Sequence, residues 1–285
     1  MRWPLGAVVT GLVLAAGPVA RPAAQAPAPA ATLLAQLPLL ASPDPAERDD
    51  TAYGTAERLI IREDAVPADG LRQVMRAWLA NLDSGLGERG TDSVFRRSFS
   101  ALCLSLVAAE DLRHPFLAQA EFDAFLDRTL AYFAAERDLR GFDPVKGWMH
   151  SVAHTADVLK FLGRSEKLKA ADPGRIVEAV AGKIEAAPEV FVWGEDERLA
   201  AALRSLVVRP GADTAALEGW VAGWPARHAA LWASGPMVDP AAFVRVQNAR
   251  QVMRALAVSL PPGGDVPPAA ARLRDGLLAA LGQMR

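Results

Sequence analysis

The chain has 285 residues, 51% of them apolar, 22% charged and 7% aromatic, a composition that buries a core and excludes a disordered, collagen-like or disulfide-framed protein. Lysine and arginine total 31 against 33 acids, a formal net charge of −2, so the basic surplus of a dedicated nucleic-acid binder is missing. The single cysteine, Cys103, excludes an intramolecular disulfide and any Cys-based zinc ribbon. Its neighbours at helical spacing are apolar, which makes it a small core residue.

The N-terminal segment reads as an export signal. Arg2 precedes an uncharged run from Trp3 to Ala20, too short and too broken by Gly and Pro for a comfortable membrane span. Ala24-Gln25-Ala26 then supplies a small-residue cleavage site. The division expected is residues 1–26 as signal peptide, 27–42 as a Pro/Ala-rich tether and 43–285 as one helical domain. Cleavage leaves a periplasmic or secreted chain with no stable membrane span, and an uncleaved N-terminal anchor is the rival reading.

From residue 43 onward apolar residues recur at three and four, and the breaks carry cap and turn residues, so the chain is predicted all-α. Ser42 or Asp44 opens a helix toward Arg62. Ala68-Asp69-Gly70 opens another with Leu71, Val74, Trp78 and Leu82, closed by Gly85, Gly87 and Gly90. Thr91 or Asp92 caps a long helix that ends at His114-Pro115. Further helices are expected from Pro115 to about Arg137, Trp148 to Leu162, Pro173 to Ala187, Glu195 to Val208, Thr214 to Trp232, Pro240 to Leu260 and Pro268 to Leu281, with Pro225 breaking or kinking its segment. Trp220, Trp224 and Trp232 fall on one stripe and read as core. About ten helices joined by short loops predict an irregular stack of antiparallel helical pairs, a HEAT-like α-solenoid without a clean internal sequence repeat. The loop from Leu260 to Pro268 is the expected flexible joint.

Two of the four histidines fall in one helical stretch, His150 and His154, with Asp157 one turn on. At about 100° per residue all three project from one face, opposite a core stripe of Trp148, Val152, Ala156 and Leu159. Two imidazoles and a carboxylate so spaced are plausible ligands for Zn²⁺ or another divalent metal. The zinc-protease pattern is absent, since Ser151 stands where its glutamate belongs. A polar face with two histidines near solvent and a buried hydrogen-bonded histidine network remain alternatives. Phe161 shares the face and suggests a groove. Glu195, Asp196 and Glu197 suit the first turn of a helix, and Glu195 or Glu197 is the candidate to act on a water were the face a metal site. Asp138, Arg140 and Asp143 cap the histidine helix or rim a cleft. Phosphate loops and serine-hydrolase elbows are absent.

Asp-Leu-Arg-Gly-Phe at 138–142, Gly-Trp-Met-His-Ser-Val-Ala-His-Thr-Ala-Asp at 147–157, Thr91 to Ser100, and Glu195 to Leu199 resemble the bacterial domain-of-unknown-function family 2785, over about Ala46 to Leu260. The resemblance implies a helical domain and carries over no catalytic residue. The reading is therefore an exported, soluble helical-repeat protein that binds an unidentified protein or small molecule through a groove lined by the His150, His154 and Asp157 face. A metal-dependent hydrolase at that face is the alternative.

Overall fold

A computed structural model describes residues 28–233, 235, 237–260 and 267–285. The expected export signal, with its cleavage site, and most of the loop before the last helix lie outside these residues.

Residues 29–41 are not a tether. Pro29–Ala35 forms α1 and Leu39–Ala41 a 3-10 turn, and Leu33 and Leu40 are each 2% exposed. The Pro/Ala composition masked a leucine series that packs on the helices behind it. Proline at the first helical position costs no hydrogen bond, because that amide has no intrahelical partner.

The helix toward Arg62 forms over 46–62, as a wide π-helical turn (Ala46–Tyr53), a short α2 (Gly54–Glu57) and a second π segment (Arg58–Arg62). Asp44 opens it, its Oδ1 accepting from Ala46 N at 2.9 Å. Then follow α3 (Ala68–Asn81), α4 (Ser93–Arg113) and α5 (Gln119–Ala135). Gly85, Gly87 and Gly90 all take positive φ between α3 and α4, the backbone that closes a helix and turns the chain. Neither Thr91 nor Asp92 caps α4. Asp92 instead binds Lys146 Nζ at 2.7 Å, and Thr91 binds Glu88.

A two-stranded hairpin, β1 (Phe142–Asp143) and β2 (Gly147–Trp148), occupies the break before α6 (Ser151–Leu162). The remaining helices are α7 (Asp172–Ala186), α8 (Glu195–Val207), α9 (Ala215–Ala222), α10 (Trp224–Trp232), α11 (Pro240–Ser259) and α12 (Pro268–Gln283). Pro225 starts α10 just beyond Gly223, the predicted break. That break splits the tryptophan stripe: Trp224 is buried, Trp220 half-buried and Trp232 exposed.

Packing follows two rows. The closest contacts run from α4 to α6 to α8 to α11, and a second row joins α5, α7, α9 and α12. Each helix of the first row is thus followed in sequence by one of the second, a stack of helical pairs. α6 lies at the centre, against α4, α8 and α5, and every residue from Ser151 to Leu159 is buried. A helix packed against three others keeps only a narrow edge toward solvent, at Lys160 and Phe161 near its end.

Candidate functional site

The site is built on the loop from Glu136 to His150 and on the two helices it feeds. Asp138 is 2% exposed and holds Arg140 through Nε and Nη2 at 2.8 and 2.6 Å, while also accepting Gly90 N at 2.9 Å. The Asp138 carbonyl takes the Ser151 hydroxyl at 2.6 Å, which fixes the loop to the first turn of α6. Asp143 accepts the amides of Val145 and Lys146 and shapes the hairpin turn. None of these three side chains caps α6. Asp138 and Arg140 instead rim a pocket of about 270 Å³ that also takes in Arg89, Arg137, Trp193 and Glu195.

The histidines are placed differently from the helical projection. Trp148 lies in β2, 39% exposed, and is no part of a core stripe. His150 precedes the helix in a left-handed conformation (φ 49°), and its ring still meets that of His154 edge-on, with centroids 5.7 Å apart. Its ring stacks on Trp148, with centroids 4.5 Å apart, and its Nε2–H donates to the Trp193 carbonyl at 2.8 Å. Trp193 N in turn donates to Glu195 Oε2 at 2.8 Å. Phe142, Trp148 and Trp193 complete a cluster of partly exposed rings, with centroids 4.8 to 6.1 Å apart. Gly141 makes that cluster possible, since a Cβ there would lie 2.2 Å from Trp193 Cδ1 and 2.8 Å from Glu195 Oε1.

His154 is buried between α4 and α6. Ser98 Oγ donates its one proton to the Met149 carbonyl, so it can only accept from His154 Nδ1, 2.7 Å away. The lone pair of His154 is therefore on Nε2. Burial, with the neighbouring His150 and Arg198 adding to it, holds this imidazole well below its ordinary value, and the ring is neutral. Burial also lowers His150. The arrangement is the buried hydrogen-bonded network, not a polar face near solvent. Phe99 meets the His154 ring edge-on at 5.0 Å.

Asp157, one turn on, is 4% exposed and carries two cations, Lys160 Nζ at 2.7 Å and Arg198 from the first turns of α8. Glu195 is buried near His150, whereas Glu197 is exposed. His154, Asp157, Lys160, Arg198 and Phe161 line a groove of about 450 Å³ between segment 46–62, α4 and α6, closed by Tyr53, Ile61, Leu102 and Leu106. His150 is not among its lining residues. Burial pushes the Tyr53 hydroxyl up to about 12, so it stays protonated and can donate.

Two buried arginines give no signal in the sequence. Arg48, fully buried, places its guanidinium 4.1 Å from the Phe95 ring centre and 4.5 Å from that of Phe99, and donates to the carbonyls of Ser42 and Lys146. It thereby ties the N-terminal helix to the hairpin. Arg97 pairs with buried Glu136 at 2.6 Å. Arg48 stands among Glu47, Asp49 and Asp50 and Arg97 beside Arg96, as surface arginines do, and only the partner elements reveal their burial.

Among the described residues, the atoms of Asp64, Glu110 and His114 form the group whose spacing suits a metal ion. No helix among them is long and apolar enough to cross a membrane.

The blocks that carry the sequence resemblance thus meet in space: Ser98 and Phe99 hold His154, Gly141 and Phe142 seat Trp193, and Arg198 closes on Asp157. The chain belongs to the family described as "Protein of unknown function (DUF2785)", which matches residues 82–258. No curated protein and no solved structure matches it.

Proposed function

We propose that the protein is a binding module, and that the groove beside His154 and Asp157 takes an amphipathic molecule with an anionic head. One observation carries this reading. Lys160 and Arg198 both converge on the single carboxylate of Asp157, and the other acid of the lining, Glu57, is paired with Arg62 at 2.7 Å, which leaves a surplus positive charge at one end of a largely apolar groove. Tyr53 adds a neutral hydroxyl donor, and Ile61, Leu102, Leu106 and Phe161 supply the apolar wall. Asp157 is held by two cations, so a hydrolytic metal at this face would have to displace Lys160 or Arg198 to reach that carboxylate. Glu195, the candidate to act on a water, is committed through Oε2 to the Trp193 amide.

The same proposal sets the protein in the periplasm or outside the cell, supported by the order of Arg2, the apolar run and Ala24-Gln25-Ala26. The paired helices would form a short HEAT-like stack with the groove on its first-row side. Intact-mass measurement of the protein recovered from the periplasm and medium tests export, with Pro27 as the expected new N-terminus.

Binding is tested by thermal unfolding with decanoate and with decyltrimethylammonium as probes. Decanoate is expected to raise Tm in the wild type, less in Arg198→Ala and not at all in Ala109→Trp, which fills the groove. Equal stabilisation by the cationic probe, or none by decanoate, would remove the reading.

A further inference from the structure

We infer that the groove, taken as the ligand site proposed above, selects amphiphiles with a hydroxyl close to the anionic head, the 3-hydroxyalkanoates, through the ring nitrogen Nε2 of His154. His154 is 6% exposed and lines the groove, and its Nδ1 side is turned to Ser98 of α4. Ser98 has its one proton on the Met149 carbonyl, which fixes the imidazole proton on Nδ1 and leaves Nε2 an acceptor. Among the described residues nothing donates to that nitrogen. Burial keeps the ring neutral, so Nε2 takes a hydrogen bond without taking the proton. The donor it suits is a neutral one, since a cationic donor would meet Lys160 and Arg198.

The rest of the lining narrows that donor to a hydroxyl. Asp157 holds two cations, Glu57 is paired with Arg62, and Ser105 gives its proton to the Leu102 carbonyl at 2.7 Å. Tyr53 is the remaining neutral donor of the wall. Its hydroxyl feels the charges of Asp157 and Arg198, which places it at the charged end of the groove, and it stays protonated. A ligand hydroxyl gives a proton to a nitrogen and accepts one from a phenol, whereas an amide N–H only gives and a methylene does neither. His154 and Asp157 stand three residues apart in α6, a spacing of about 5–6 Å between Cβ atoms. A carboxylate beside the cations of Asp157 therefore leaves the next carbons of its chain alongside His154. A plain fatty acid would set methylenes against Nε2 and displace its water without replacing the hydrogen bond, which lowers affinity.

Calorimetric titration of the full chain with decanoate, 3-hydroxydecanoate and 3-methoxydecanoate tests the selection. The wild type is expected to bind the hydroxy acid about tenfold or more tighter than decanoate. The methoxy acid keeps the oxygen but has no proton to give, and is expected to show no such gain. In His154→Leu, checked for wild-type circular dichroism, decanoate and the hydroxy acid are expected to bind alike. Heteronuclear NMR of the labelled histidine rings reads the contact without a variant: the Nε2 resonance of His154 is expected to move upfield with the hydroxy acid and to stay in place with decanoate. Equal affinity of the wild type for decanoate and the hydroxy acid would overturn the selection and leave the groove standing as a ligand site, whereas binding of neither would remove both. A gain kept by the methoxy acid or by His154→Leu, or a His154 resonance that does not respond, would also overturn the role given to Nε2.

Discussion

Gly141 shows how much of the site depends on one missing side chain. Trp193 can lie over the backbone at 141 only because no Cβ is there, and the same closeness brings Glu195 to the loop. Gly141→Ala must push the indole out, at a cost of about 1–3 kcal/mol for overpacking. The hydrogen bond from His150 to the Trp193 carbonyl would be strained in the same motion. Denaturant unfolding should show the loss of stability, and tryptophan emission should shift to the red as Trp193 gains water. The histidines give a second expectation at this scale. Both are held neutral below the ordinary imidazole value of 6.5, so the unfolded chain binds more protons than the native one once the pH falls below it. Their contribution is complete above about 6.5 and is lost as the pH falls toward the lowered native values. Tm measured from pH 7.5 to 5 should therefore decline, and His154→Gln should flatten the decline while lowering the value at neutral pH.

At the scale of elements, Glu136 joins pieces distant in sequence. Its carboxylate pairs with Arg97 of α4 and accepts the amides of Arg137 and Asp138, and its carbonyl takes Lys183 of α7 at 2.8 Å. Arg97 also binds the carbonyls of Ser84 and Gly85 behind α3. Breaking a buried ion pair from one side leaves a charge without a counterpart, so Glu136→Gln should cost about 3–5 kcal/mol. Chemical denaturation checks this, and the loop that begins at Glu136 should become more sensitive to protease. Helix positions were legible in the sequence because each buried stripe repeats at three and four and each break holds Gly, Pro or Asp. The all-helical class and the break at Pro225 followed directly. The site was legible only as a set of residues. His150 meets His154 from outside the helix, because one left-handed residue and a hairpin replace the first turn projected from Trp148. Nothing in a 3.6-residue period reports such a turn. The burial of Arg48, Arg97 and Asp157 was equally hidden, since it comes from partners 39 to 98 residues away.

For the molecule as a whole, the two ends of the stack differ in how well they are packed. α6 is packed against α4, α8 and α5, and its buried residues include Leu159, Ala153 and Ala156 at 0% exposure. The C-terminal end is looser: a cleft of about 820 Å³ separates α9 and α10 from α12, lined by small side chains such as Ala222, Ala226, Ala229, Gly276 and Ala280. α12 is nevertheless docked, with Leu273 and Leu277 buried against α11 and α9. Amides in α6 reach solvent only when the helices packed around them part, whereas α12 can detach while the α4, α6 and α8 layers stay packed. Hydrogen exchange should therefore be slowest in α6, with α10 and α12 opening at free energies lower by about 2 kcal/mol or more. Deleting residues 267–285 should strip protection from α11, whose covered face would meet water, and leave most of the protection of α6. Exchange as fast in α6 as in α12, or a collapse of α6 protection in the truncated chain, would mean that the stack unfolds as one cooperative unit and that the histidine network draws stability from the far end.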